Sequence, residues 1–431
     1  MKIIIKNAVC TDYETGESQV MNVAVEGKKV TYAGTGMPDG ISEADRAIDA
    51  GGYILIPGFV NAHCHAPMTL LRGLGCDKPL DVWLESYIYP AEERLNPELA
   101  YIGSLAAAAE MIRGGVVSFS DMYFFCDKVA DAVIDSGMKA NVSRSIVSFD
   151  ETVDPSNDPR IAEGLALFRE YNNAGDGRIK VDFSIHAEYT NTESTCRYVA
   201  ELAGKCGTGI QLHLSETEKE HREGIARRGM TPAAFFEKCG VFDVPVTAAH
   251  CVWLEDGDID IMQRHGAAAV HNPRSNLKLG SGIMPYEKLA AVGVNIALGT
   301  DGSASNNKLD LMSEMQLAAI LHKGAMRNAE AVPAGAVLRA ASAGGAASQG
   351  REAYSRITEG MPADLALISC GRIGLSEGED PAGTLVYSAD RSDVSMTMVD
   401  GRILYENGEY MTIDEERLSY DFEAARKKLI R

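Results

Sequence analysis

The chain contains no apolar run approaching the roughly 20 residues that a membrane-spanning helix needs, so no such helix is expected. It is also short of positive charge. Lys and Arg number 41 against 61 Asp and Glu, for a net charge of −20. Phosphate backbones and anionic lipid reward Lys and Arg, so nucleic acid and membrane surfaces are poor partners. A small anionic ligand stays open, because a few local arginines can hold one. None of the nine cysteines forms a CxxC pair, and their number is odd. Reduced, mostly buried thiols in a cytoplasmic protein are the expectation. The apolar start, MKIIIKNAVC, is too short for a signal peptide and leads into polar sequence, so it reads as a first strand. There is neither an HExxH nor a PCxxC motif, which removes two classes of zinc hydrolase.

What is present is ordinary globular composition, 45% hydrophobic and 24% charged, in 431 residues. That suffices for one large domain and a smaller one. Residues 1–57 read as short strands, with Glu26-Gly27-Lys28 as a tight turn. The same texture returns after residue 360, with Asp400-Gly401 as a hairpin signal. Residues 1–57 and 360–431 are therefore expected to build one small β-sandwich domain around a catalytic middle, 58–359, with a charged amphipathic helix over 415–430. In the middle, eight apolar, β-branched runs alternate with helical patterns: 54–62, 115–120, 139–145, 180–185, 209–212, 246–249, 267–270 and 294–300. Asn96-Pro97-Glu98 and Thr231-Pro232 mark helix starts. Eight strand–helix units predict a (β/α)8 TIM barrel, in the α/β class.

Polar residues punctuate the strand ends in order: His63 and His65, Asp121, Arg144, His186, His213, His250, His271 and Asp301. A (β/α)8 barrel carries its active site on that face. Six of the nine histidines fall there, more than chance would place. His63 and His65, two apart on a strand, point the same way. With His213 and Asp301 they offer three imidazoles and a carboxylate, a donor set for one divalent ion: zinc, with ferrous iron as the alternative. No Lys ends the fourth strand to bridge two metals; His186 stands there instead. Glu216, three residues past His213, can face the metal site without ligating, as a proton shuttle requires. His250 can hydrogen-bond or electrostatically support the nucleophile.

The stretches PGFVNAHCHAPMTLLRG, QLHLSETEKE, AAHCVWL, HNPRSNLKLGSGI and LGTDGSASNN resemble the amidohydrolase superfamily, and within it the methylthioadenosine/S-adenosylhomocysteine deaminases. The resemblance covers nearly the whole chain, including EGMPADL from Glu359. It implies metal ligands His63, His65, His213 and Asp301, with Glu216 as general acid/base. His250 would orient the hydroxide, and Asp301 would also take a proton. It places Glu92 on the ribose 2′,3′-hydroxyls, His186 and Ser305 at the purine, and Trp83 over the nucleoside. Arg144 and Arg160 would bind the homocysteine carboxylate, a task that favours Arg over Lys. His186 is followed by Ala187-Glu188 rather than small and Pro residues, and Cys64 separates the first two ligands. His271 is read as supporting the site, while His221, His265 and His322 receive no role.

The expected activity is hydrolytic deamination of S-adenosylhomocysteine and/or 5′-methylthioadenosine to the inosyl product and ammonia. The partner is thus a small nucleoside. A homo-oligomer is compatible with the resemblance, though no segment identifies an interface. Other aminoheterocycles (5′-deoxyadenosine, adenosine, guanine, cytosine or a triazine) form the alternative. A non-catalytic scaffold would have lost ligands, and none is missing. A sugar-phosphate barrel would want a Gly-rich phosphate loop, for which Gly280-Ser281-Gly282 is a weak match.

Overall fold

The computed structural model describes residues 1–38 and 44–430. Its N-terminal segment forms β1 (Lys2–Thr11), β2 (Ser18–Glu26), β3 (Lys29–Gly34), β4 (Arg46–Asp49) and β5 (Tyr53–Pro57). Nine parallel-barrel segments follow: β6 (Phe59–Cys64), β7 (Val116–Tyr123), β8 (Lys139–Arg144), β9 (Ile179–Val181), β10 (Phe183–Ile185), β11 (Ile210–Leu214), β12 (Val246–His250), β13 (Ala268–His271) and β14 (Asn295–Leu298). The C-terminal part adds β15 (Leu365–Ser369), β16 (Val394–Val399), β17 (Arg402–Glu406) and β18 (Glu409–Tyr410).

The terminal strands share one sheet, in the order β18-β17-β16-β15-β5-β1-β2-β3, with β4 pairing β1. Its inward side chains, among them Ile3, Ile5, Val23, Leu55, Leu365 and Met398, meet in a core separate from the barrel's. The turn after β16 shows why its residues are what they are. Asp400 and Gly401 take φ of 48° and 73°, the left-handed pair that a two-residue hairpin requires. A Cβ on Gly401 would lie 2.0 Å from the Gly27 carbonyl oxygen.

The barrel runs β6-β7-β8-β9 and β10-β11-β12-β13-β14. β9 and β10 are one strand interrupted at Asp182, so eight staves result. Closure is made where the Asp301 N–H donates to the His63 carbonyl at 2.9 Å and Thr300 N–H to Asn61 Oδ1 at 2.9 Å. β7 is buried at every position, as expected of a parallel strand covered on both faces. The predicted helix starts are present: Asn96 accepts from Leu99 N–H ahead of Pro97, and Thr231 accepts from Ala234 N–H ahead of Pro232.

One expectation is corrected. The run 54–62 is not one barrel strand. Tyr53–Pro57 pairs with β1 and β15 in the terminal sheet, and only Phe59–Cys64 enters the barrel. Gly58 alone separates them, and a Cβ there would lie 2.2 Å from Val117 Cγ1. The C-terminal helix, Glu415–Ile430, forms as expected and packs against the barrel helix Pro97–Ile112.

Candidate metal centre and pocket

The strand ends converge. The His63 ring lies 4.9 Å, centroid to centroid, from His65 and from His213, and 5.6 Å from His250. Asp301 reaches in from beyond β14, its Oδ1 3.2 Å from His65 Nε2 and 3.5 Å from His63 Nε2. Potential ligand atoms of His63, His65 and His213 lie within 4.8 Å of one another, as do those of His63, His250 and Asp301. His250 and Asp301 hold positive φ, 74° and 61°. Such strain in non-glycine residues persists where the surroundings fix a functional position.

Each imidazole is aimed by its outer nitrogen. His65 Nδ1–H donates to the Met122 carbonyl at 2.6 Å, and His213 Nδ1–H to the His186 carbonyl at 2.7 Å. Both Nε2 atoms are thereby turned toward the centre, the arrangement typical of ligating histidines. His63 Nε2 is buried and makes no hydrogen bond, which is costly unless something else takes its lone pair. Burial pushes His63 down to about 4 and His213 well below the usual imidazole range, so both stay neutral. Burial also opposes charge on His65, but Asp301 outweighs it and raises this histidine to about 9. Asp301 is itself held far below the carboxylate range, its burial overcome by His63 and His65. The point between them therefore favours positive charge. Neutral His63 and His213, a His65 whose charge is drawn in by Asp301, one carboxylate and an unpartnered buried nitrogen fit a divalent ion, which would take the place of the His65 proton.

Several residues around this centre went unread in the sequence. Ser275, which was not singled out, donates to Asp301 Oδ2 at 2.5 Å, beside Ser305, expected at the purine, which donates to the same oxygen at 2.7 Å; the two fix its carboxylate. Asn276 Oδ1 accepts from His250 Nδ1–H at 2.8 Å, which turns His250 Nε2 to within 3.7 Å of Glu216 Oε2. Ser281 donates to Glu216 Oε1 at 3.0 Å. Buried Glu220 accepts the backbone N–H groups of Ser215 and Glu216, so it shapes the loop that carries Glu216. The motif HNPRSNLKLGSGI contains Ser275, Asn276 and Ser281; their register after β13 was the available signal. Burial raises Glu216 above the ordinary glutamate range despite opposing pulls from His250 and Ser281. A carboxyl shifted in this direction holds its proton more tightly than a surface glutamate, which suits a group that must take up and give back a proton.

A cleft of about 250 Å³ opens onto this centre. Its wall includes His65, Trp83, Glu92, His186, His213, Glu216, His250, Asp301 and Ser305. Glu92 Oε1 accepts from Tyr123 OH, and burial raises its carboxyl to about 7, with Tyr123 and His65 opposing. His186 is pushed down to about 4 by burial, and its Nδ1 contacts Thr190 Oγ1 at 3.2 Å. Arg144 and Arg160 are not brought into the wall. Arg144 pairs with Glu163 at 2.6 Å, and Arg160 grips Asp158 through Nε and Nη2 at 2.9 and 2.8 Å. Behind the centre, His271 contacts His322 at 3.2 Å between Nε2 atoms, which gives the unassigned His322 a structural place.

The chain is 42% identical over 391 residues to a 5-methylthioadenosine/S-adenosylhomocysteine deaminase of Acetivibrio thermocellus, covering 90% of each chain. It is 41% identical over 430 residues to a 5′-deoxyadenosine deaminase of Methanosarcina mazei, covering 99% of this chain and 98% of that one. Among solved structures, an adenosine deaminase from Xanthomonas campestris with bound zinc superposes with a TM-score of 0.92 at 32% identity, covering 99% of this chain and 98% of that one. The amidohydrolase family model matches residues 54–404. With the (β/α)8 barrel, the strand-end histidines and these likenesses in agreement, the chain belongs to the amidohydrolase family.

Proposed function

We propose that this protein is a hydrolytic deaminase of adenosine-type thioethers, S-adenosylhomocysteine and/or 5′-methylthioadenosine, releasing ammonia and leaving the inosyl product. The observation that carries the reading is the unpartnered, buried His63 Nε2 between two carbonyl-anchored imidazoles, His65 and His213, with the raised carboxyl of Glu216 beside them. Names of relatives at about 40% identity supply the substrate class.

His63, His65, His213 and Asp301 would hold one divalent ion, zinc by its donor preference. When bound, the ion supplies an activated water at neutral pH. Water adds at C6 of the adenine ring. Glu216 gives a proton to ring nitrogen N1 and then assists protonation of the departing amine. His250, aimed by Asn276, orients the nucleophilic oxygen, and Asp301 accepts its proton. One water is consumed, and the C6–NH2 bond is exchanged for C6=O with release of NH3. Glu92, with one oxygen occupied by Tyr123, accepts the ribose hydroxyls, since vicinal OH donors suit a carboxylate. His186 and Ser305 contact the base, and Trp83 packs over the nucleoside.

In this reading residues 58–359 are the catalytic unit and 1–57 with 360–431 the supporting β domain. All nine cysteines are free, and no helix among the described residues is long and apolar enough to cross a membrane; both support a cytoplasmic setting. The test is a spectrophotometric assay of metal-replete protein against the two thioethers, 5′-deoxyadenosine, adenosine and guanine. Turnover of the thioethers is expected. Turnover of none, with metal bound, would move the substrate to another heterocycle. Glu216→Gln should lose at least about a thousandfold in kcat while retaining its metal; loss of the metal would remove Glu216 from the proton-transfer role.

A further inference from the structure

The segment that carries Trp83 and Glu92 has no long element of its own. From Ala66 to Glu92 the chain forms four short helical pieces: Ala66–Leu71, Leu80–Trp83, Leu84–Ile88 and Tyr89–Glu92. Helices of four to six residues are not stable alone and take their shape from what they pack against. Here that is neither the barrel core nor the core of the terminal sheet. Leu70, Leu71, Trp83, Ile88 and Ala91 belong to a third apolar cluster, and Trp83 and Ile88 also face the cleft.

The far side of that cluster is supplied by the helix Glu415–Ile430. Its Leu418, Phe422, Ala425 and Leu429 recur at helical spacing and form one apolar stripe. Leu418 packs against the barrel core. Phe422 packs against the third cluster, and Ala425 and the wholly buried Leu429 are part of it. The helix lies against Ala66–Leu71 and Pro97–Ile112. Arg426 adds a latch: its Nη2 donates to the Arg72 carbonyl at 2.9 Å. Arg72 is the C-cap of the Ala66–Leu71 turn, and a cation suits the carbonyl end of a helix. The Arg72 guanidinium in turn grips Glu110 and donates to the Asn307 carbonyl at 3.2 Å.

We infer that the helix Glu415–Ile430 is the support of the nucleoside-binding wall, with Leu429 and Arg426 as positioning residues that keep Trp83 and Glu92 in place. What the wall binds rests on the deaminase reading. The histidines of the centre have anchors of their own: His65 and His213 are aimed by the carbonyls of Met122 and His186. The helix therefore bears on how tightly nucleoside is held and not on the hydrolytic step.

Leu429→Ala empties a buried position, and Arg426→Met removes the latch while keeping an apolar stem. In both, KM for 5′-methylthioadenosine should rise about tenfold, with kcat within about twofold of wild type and zinc content unchanged. Leu429→Met, which conserves volume, should restore KM. A second readout is independent of activity. The chain has two tryptophans, Trp83 at 4% and Trp253 at 36% exposed. In a Trp253→Phe background the emission is that of Trp83 alone, and Leu429→Ala or Arg426→Met should shift it to the red and open it to acrylamide quenching. An unchanged KM beside a lowered melting temperature marks plain structural support and overturns the inference. So does a fall in kcat or bound zinc as large as the rise in KM, since the helix would then be holding the centre. Trp83 emission that does not move overturns it too. If wild type turns over no nucleoside, the deaminase reading fails, and the emission alone decides whether the helix holds the wall. Should Leu429→Ala not fold, Arg426→Met carries both readouts.

Discussion

Glu92 should make nucleoside binding depend on pH in a defined direction. Burial raises its carboxyl to about 7. An acid raised in this way is neutral below that value and ionised above it. Tyr123 OH already donates to Oε1, so Oε2 and the remaining Oε1 lone pair are left for the ribose hydroxyls. Hydrogen bonds to a charged group contribute about 1.5–3 kcal/mol and neutral ones about 0.5–1.5 kcal/mol. Protonating Glu92 should therefore cost about 1–1.5 kcal/mol of diol binding, or roughly tenfold in KM. KM for 5′-methylthioadenosine, measured from pH 5.5 to 8.5, should rise about tenfold on the acid side of 7. The same titration with a 2′,3′-dideoxy analogue should stay flat. Glu92→Gln should hold KM near its high value at every pH. A dideoxy substrate with the same pH dependence, or a Gln variant that keeps it, would refute the argument.

Asn276→Ala removes the acceptor for His250 Nδ1–H and should lower kcat by about 10- to 100-fold with little change in KM, which steady-state kinetics resolves. Chelation should abolish turnover and lower the melting temperature. Restoring zinc at about 100 times its Kd should return about 2.7 kcal/mol of stability, read by thermal scanning; an unchanged melting temperature would mean the four ligands hold no ion. Gly401→Ala puts a Cβ against the Gly27 carbonyl at a φ of 73° and should destabilise by about 1–3 kcal/mol. Denaturant unfolding measures this, and a neutral result would show that the hairpin can relax.

The strand-end chemistry was legible because a parallel barrel turns sequence order into geometry. Apolar runs followed by His or Asp had one arrangement open to them, with those residues on a shared face. His63, His65, His213, Glu216, His250 and Asp301 could be read from spacing for that reason. The hairpin at Asp400-Gly401 was legible because only certain residues adopt its backbone. The split of 54–62 was not, since apolar content is the same in a terminal sheet and in a barrel, and only pairing partners distinguish them. The pairing of Arg144 with Glu163 was equally hidden. Sequence shows an arginine at the end of a strand, but which acid claims it depends on how the following helix, Pro159–Tyr171, lies against β8. Ser275 and Asn276 were overlooked because a short hydroxyl or amide announces nothing until its acceptor or donor is in place.

The junction at Gly58 bears on how the molecule is made. β5 lies between β1 and β15, and it continues through one glycine into the strand that carries His63 and ends just before His65. During synthesis, β5 can pair with β1 early, while its other edge stays open until residues 365–369 have left the ribosome. The first two histidines of the centre are thus tethered to a strand whose last neighbour arrives near the end of translation. Long-range pairing of this kind slows folding and leaves a bare edge available to other chains. The same junction ties the finished centre to both ends of the polypeptide, so a truncation in the last strands would be felt at the histidine centre although none of them reaches it.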